Sequence, residues 1–253
     1  MSHRVARITA LTGAIAAMAS FAELAEGATP TGMLFRTIKV SSREYRYAIY
    51  VPRDYSRSKE WPVIVFLHGM GECGIEGSRQ LAVGLGPALL LAPDRWPFLV
   101  VFPQKPSPRD RWDAHEGAIM AMLTRLRRDY RVDRDRVYLT GISQGGNGTW
   151  VIGSRRPEIW AAIAPICGYG DPAAIGPGLT NVPVWAFHGE ADPVVPASQT
   201  RDIAASVEQN GGSVKVTIFP GVDHNSWDRA YRDERLYEWL LQHRLPERRR
   251  PAR

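Results

Sequence analysis

Two short, unbroken apolar runs, WPVIVFLH (61–68) and PFLVVFP (97–103), dominate the choice of fold. Strands that read this way are buried on both faces, the habit of parallel sheets covered by helices. Four more segments join them: RVYLTGI (136–142), AAIAPI (161–166), VPVWAFHG (182–189) and VKVTIF (214–219). Upstream, LFRTIKV (34–40) and EYRYAIYV (44–51) alternate about Ser41-Ser42-Arg43 and read as an antiparallel hairpin. Helical patterns separate the later strands. Residues 114–130 place Ile119, Met122, Leu123, Leu126 and Tyr130 on one stripe. Residues 197–210 and 226–243 are further helix candidates, the latter carrying Tyr231, Leu236, Tyr237, Trp239 and Leu240. The pattern predicts an α/β fold, a mostly parallel eight-stranded sheet with helices on both faces. No repeat or linker interrupts residues 34–243, which are expected to form one domain.

With 253 residues, 44% of them hydrophobic, the chain can bury a sizeable core. The same composition excludes disorder, collagen-like repeats and a disulfide-dense scaffold. The net charge of +6 suggests an acidic partner until it is sorted by position. Residues 244–253 (RLPERRRPAR) carry +4 and residues 1–22 carry +2, which leaves 23–243 neutral. No nucleic-acid recognition motif accompanies the charge. Residues 1–22 join a basic head to an apolar stretch too short to span a bilayer. They read as a signal peptide, with cleavage at Ala17-Met18-Ala19 or Ser20-Phe21-Ala22, and predict periplasmic or extracellular export. Residues 244–253, broken by Pro246 and Pro251, read as a flexible Arg-rich tail. No integral membrane contact is expected.

Chemistry enters at RVYLTGISQGGNGTW (136–150), an apolar strand, then Gly141-Ile142-Ser143-Gln144-Gly145, then a plausible helix. G-x-S-x-G between strand and helix is a nucleophile elbow, a turn sharp enough to expose the serine at the strand's end. A serine hydroxyl is a weak nucleophile until a base takes its proton, so a histidine and an acid must follow. VPVWAFHGEADPVVP (182–196) delivers Asp192 after one strand, and VKVTIFPGVDHNSW (214–227) delivers His224 after the last. Both positions lie past carboxyl ends of strands, where open α/β sheets bind ligands. His224 is therefore the expected general base and Asp192 its orienting acid. Glu190, two residues from Asp192, is the rival acid, and Asp223 reads as surface. His3, His115 and His243 fall outside the expected site, while His68 and His188 read as groups that order loops. Two backbone donors should form an oxyanion hole: Gln144 N–H, and Met70 N–H in the glycine-rich loop Leu67-His68-Gly69-Met70-Gly71. No spacing suggests a metal, and no glycine-rich nucleotide fingerprint follows a strand, so no cofactor is expected.

These residues resemble the α/β-hydrolase superfamily. More narrowly, the chain is similar to small bacterial carboxylesterases grouped as predicted peptidases, phospholipase/carboxylesterase-like or dienelactone-hydrolase-like proteins. FLHGMGECG (66–74), YRVDRDRVYLTGISQGGNGTW (130–150), APICGYGDP (164–172), HGEADPVVP (188–196) and FPGVDHNSWDRAYRDERLYEWLL (219–241) carry the likeness. It implies Ser143, Asp192 and His224 as a triad, with Met70 and Gln144 as oxyanion donors. Many relatives read G-E-R-G where this chain has Gly71-Glu72-Cys73-Gly74, so the arginine's contribution does not carry over.

Only residues 168–181 separate the sixth and seventh strand candidates, which leaves no room for a large cap domain. An open site suits short-chain, aryl or polymer-attached esters. Trp112, Trp227 and Gln104 are candidate pocket residues, with ordinary packing as the competing reading. Cys73 and Cys167 both follow strands, so a disulfide clamping the oxyanion loop and two free thiols both stand open. The expected activity is a serine carboxylesterase. A peptidase, thioesterase or lysophospholipase using the same triad, and a non-catalytic binding protein, are its rivals.

Overall fold

The structure, a computed structural model, describes residues 29–246. The leader expected over 1–22 lies outside them, as do residues 247–253. The strands are β1 (Gly32–Val40), β2 (Arg43–Val51), β3 (Trp61–Leu67), β4 (Leu99–Pro103), β5 (Val132–Ile142), β6 (Ala162–Ile166), β7 (Val184–Gly189) and β8 (Val214–Phe219). They form one sheet in the order β1-β2-β4-β3-β5-β6-β7-β8. β1 and β2 make the antiparallel hairpin, β2 runs antiparallel to β4, and β4, β3, β5, β6, β7 and β8 are mutually parallel. The helices are α1 (Leu85–Leu91), α2 (Glu116–Asp129), α3 (Gln144–Arg155), α4 (Pro172–Ile175), α5 (Ser198–Gln209), α6 (Trp227–Arg232) and α7 (Glu234–Leu241).

The unbroken apolar runs have a direct cause in this architecture. β3 sends Val63, Val65 and Leu67 to one face, against Ile119, Met122 and Leu123 of α2, Trp150 and Ile152 of α3, and Ile203 and Val207 of α5. Its alternate residues Ile64 and Phe66 face α1 through Leu85 and Leu89, and α6 and α7 through Tyr231, Leu236 and Leu240. Both faces are dry, so a polar residue there needs a hydrogen-bond partner, as Thr140 finds in Ala164 O and the Tyr231 hydroxyl. Each large apolar side chain buried there contributes about 1.5–3 kcal/mol. β8 is an edge strand and carries exposed Lys215, a common guard against edge-to-edge pairing.

Three boundaries differ from the sequence expectation. The helix pattern over 226–243 is two helices, because Asp233 is extended (φ −71°, ψ 110°) and its carboxylate caps α7 by accepting the Arg235 N–H. β5 begins at Val132, earlier than its apolar run. Its first turns are polar because the Asp133 side chain, 6% exposed, takes ion pairs from Arg136 and Arg244. The expected flexible tail over 244–253 therefore starts too early. Arg244 is paired to Asp133, Leu245 is buried, and the Leu245 N–H donates to Asp135 O.

β6 and β7 are joined by residues 167–183, which hold only α4 and a 3₁₀ turn at Gly176–Leu179. No cap is inserted there. No helix among the described residues is long and apolar enough to cross a membrane. The carboxyl ends of the parallel strands consequently open onto one rim, where the candidate residues gather.

Candidate active site

The turn from β5 into α3 sets Ser143 at φ 53°, ψ −116°, a conformation non-glycine residues rarely adopt. Glycines make that turn possible. A Cβ on Gly145 would run into the Leu67 and His68 carbonyl oxygens, and one on Gly141 would lie 2.5 Å from the Gly145 carbonyl. The Ser143 N–H is held by Ile166 O at 3.0 Å and faces Cys167 Sγ at 3.3 Å. The α3 ladder starts with Asn147 N–H donating to Ser143 O, so the amides from Gln144 to Gly146 have no partner within the helix. They are the donors that a negative charge beside Ser143 would meet.

Loops after β7 and β8 bring the other two predicted residues to the serine. His224 Nε2 lies 2.9 Å from Ser143 Oγ, and its Nδ1 lies 2.7 Å from Asp192 Oδ2. Asp192 Oδ1 accepts the Val194 and Val195 N–H groups at 2.8 and 2.9 Å. Burial pushes the Asp192 carboxyl up, but the hydrogen bonds from His224, Val195 and Val194 outweigh it and hold it below the usual carboxylate range. The rival Glu190 is exposed and turned toward Gly221 N, and Asp223 caps Asn225 on the surface.

His188 joins this constellation. Its Nε2 lies 2.9 Å from Val195 O and 3.2 Å from Asp192 Oδ2, while Thr200 Oγ1 is 2.8 Å from Nδ1. Those partners fit a neutral ring with Nε2–H donating to both oxygens and the Thr200 hydroxyl donating to Nδ1. Burial lowers its pKa and keeps it uncharged at neutral pH. Asp192 Oδ2 thus sits between two imidazoles, one reaching Ser143 and one rooted in the core. Of the remaining histidines, His115 is tied to Tyr45 and Asp110, and His243 to Trp239 O.

The loop after β3 is ordered by His68. Its Nε2 accepts the Lys105 N–H at 3.1 Å, which makes Nδ1–H the donor to Gly69 O at 2.6 Å. A trans peptide points its carbonyl and the following amide in opposite directions. Anchoring Gly69 O against His68 therefore turns Met70 N–H the other way. Trp112 and Gln104 stand behind this loop rather than along a pocket. Trp112 is 1% exposed and donates its indole N–H to His68 O. Gln104 is 2% exposed and ties Glu72 O to Gly77 N–H. Both polar ends are consumed in bracing backbone, which no sequence pattern announces. Trp227 is half-buried with its ring edge-on to His224 at 5.5 Å.

The open space beside Ser143 is a cleft of about 410 Å³, walled by Met70, Gln144, Tyr169, Val194, Pro196 and Gln199. Tyr169 and Gln199 also border a second hollow of about 360 Å³, which includes Asn147, Arg111, Arg155 and Asp171. Sequence reasoning missed Tyr169, Val194, Pro196 and Gln199. The available signal was Asp192-Pro193-Val194-Val195-Pro196, an apolar segment placed directly after the acid. Cys73 and Cys167 are free and buried. No His, Cys, Asp or Glu cluster able to hold a metal occurs among the described residues.

Comparison with known proteins adds an independent line. The profile of the dienelactone hydrolase family matches residues 107–235. A solved structure described as a thermostable esterase superposes with a TM-score of 0.73 at 30% identity, covering 84% of this chain and 63% of that one. Feruloyl esterase B of Neurospora crassa is 27% identical over 172 residues, covering 63% of this chain and 52% of the relative. The bifunctional acetylxylan esterase/xylanase XynS20E of Neocallimastix patriciarum is 27% identical over 153 residues, covering 58% of this chain and 21% of the relative. The chain thus spans about half the length of the first of these two and about a fifth of the second.

Proposed function

Because the chain belongs to the dienelactone hydrolase family, within the α/β-hydrolase superfamily, we propose that it is a serine carboxylesterase. The observation that carries this reading is the continuous hydrogen-bonded line Asp192–His224–Ser143, at 2.7 and 2.9 Å, opening into a cleft. Ser143 Oγ attacks the ester carbonyl carbon as His224 Nε2 takes its proton. The N–H groups of Met70 and Gln144 receive the negative charge that builds on the carbonyl oxygen. Asp192 stabilises the imidazolium and keeps Nδ1 protonated, so Nε2 stays free to act as base. His224 then protonates the leaving alkoxide, and a water activated by the same nitrogen hydrolyses the acyl-enzyme.

The surroundings of Ser143 support a reading of the substrate class. The cleft is wide, uncapped and apolar on one side, where Met70 and Val194 are 61% and 65% exposed. A polar hollow continues from it past Tyr169 and Gln199. An acyl group with an apolar face fits the first, and a hydroxyl-rich leaving group fits the second. Acetyl or feruloyl groups on a polysaccharide combine both, in keeping with the names of the relatives. Hydrolysis of p-nitrophenyl acetate and butyrate by the protein and its Ser143→Ala variant tests the reaction. The variant should lose at least ~10⁴-fold in kcat. An inactive wild-type protein that takes no fluorophosphonate label at Ser143 would refute it. Acetylated xylan, methyl ferulate and peptides, compared under kcat/KM, then rank the substrate classes.

A further inference from the structure

Behind the oxyanion loop lies a pair of side chains that the proposed reaction does not use. Lys105 is fully buried, yet among the described residues no carboxylate pairs with it. Its amine donates to Ser107 O at 2.7 Å and to Cys73 Sγ at 3.2 Å, and stands 5.9 Å from the Trp112 ring. Taking an amine wholly out of water is costly without partners. Among the described residues, the side-chain atom it gains as a hydrogen-bond partner is a thiol sulfur. The backbone of Lys105 makes the contact hard to escape. Its N–H donates to His68 Nε2 and its C=O accepts Gly74 N–H at 3.1 Å, so it grips the loop at both ends while the side chain reaches the middle.

We propose that Cys73 and Lys105 form an oxidative modification site, in which peroxide converts the thiol–amine contact into a covalent sulfur–nitrogen crosslink. Oxidisable cysteines combine positive surroundings with partial access. Cys73 has the amine beside it and is 8% exposed beneath a loop whose Gly71, Ile75 and Glu76 face solvent. Cys167 offers the contrast. It is fully buried with no amine against it, and burial pushes its thiol up to about 12.

The chemistry balances with one hydrogen peroxide. Cys73 Sγ, its proton passed to the adjacent amine, attacks one peroxide oxygen, and the O–O bond breaks. Sulfur is oxidised by two electrons to the sulfenic acid, and the departing hydroxide takes a proton from Lys105 to leave as water. The neutral amine then attacks the sulfenic sulfur, as backbone nitrogens do in known sulfenamides. An S–N bond forms, the S–O bond breaks, and hydroxide leaves with an amine proton as the second water. The protein has lost two hydrogens. A thiol reductant reverses the step by attacking sulfur and releasing the amine. The crosslink fastens the loop carrying Met70 to the segment after β4. Its effect on turnover depends on Met70 serving as an oxyanion donor; the crosslink itself does not.

The test is peptide mapping of the full chain after brief treatment with a small excess of hydrogen peroxide, digested without reductant. The expected result is a peptide pair joined through Cys73 and Lys105, two hydrogens lighter than its parts, separated again by dithiothreitol. The pair should persist in Cys167→Ala and vanish in Lys105→Met. Because the wild-type map is decisive by itself, poor folding of Lys105→Met does not blunt it. Recovery of Cys73 as a free thiol, as sulfinic acid with Lys105 unlinked, or as a disulfide with Cys167 would overturn the proposal.

Discussion

Acid places a charge on His68 that its surroundings cannot accept. The ring is fully buried, its Nε2 already accepts the Lys105 N–H, and its Nδ1–H is committed to Gly69 O. A second proton on Nε2 would confront another donor at 3.1 Å, close to the Lys105 side chain. Burial, with a smaller contribution from Lys105, accordingly pushes the pKa from 6.5 down to about 4. In the unfolded chain the ring takes up its proton near the ordinary value, while in the folded protein it holds out much longer. Between the two values the unfolded state binds more protons, so stability falls as the pH falls. The contribution is fully present above about pH 6.5 and is lost on approach to about pH 4. The gap corresponds to ~3.4 kcal/mol, of which ~2.5 kcal/mol should be lost between neutral pH and about pH 4.5. Urea unfolding of the wild type and His68→Gln at those two conditions measures it. The wild type should lose about 2.5 kcal/mol more than the variant, because groups such as His188, His115 and Asp192 titrate in both and cancel. Equal losses in the two proteins would refute the reasoning.

Asp192→Asn should lower kcat by about 10⁴-fold, because it removes the charge proposed to fix the His224 tautomer. It should also cost about 1–3 kcal/mol of stability, because the amide NH2 must face N–H donors that now meet an oxygen; ester hydrolysis and urea unfolding measured together check both halves. Gly145→Ala forces a methyl group into the Leu67 and His68 carbonyls. It should cost about 3 kcal/mol or prevent folding, as read by urea unfolding. Removing residues after Pro246 should leave the melting temperature unchanged. Removing those after His243 strips the buried Leu245 and the Arg244 partner of Asp133, and should destabilise by about 2–4 kcal/mol in the same assay.

Sequence alone determined which segments are strands and which residues gather beside Ser143, because both are governed by short-range rules. A strand covered on both faces must be apolar throughout, so β3 and β4 announce themselves. Gly141 and Gly145 flank Ser143 because only glycine fits so close to the Leu67 and Gly145 carbonyls. Asp192 and His224 follow strand ends, where a parallel sheet collects loops on one rim, so their meeting with Ser143 could be expected without coordinates. The choice of Asp192 over Glu190 was also legible in part, since the residue nearer the strand has less freedom to turn back.

Tertiary structure decided everything that depends on contacts between distant segments. Trp112 and Gln104 have the composition of pocket residues, but their polar ends are spent on His68 O, Glu72 O and Gly77 N. Asp233 splits one helical pattern in two by capping its second half, and Arg244 leaves the expected tail to neutralise Asp133. Lys105 is buried against a cysteine 32 residues away, a contact that no local pattern marks. Nothing local distinguishes these outcomes. Periodicity reports which residues avoid water, whereas the partner a buried polar group finds is set by how the loops cross above the sheet.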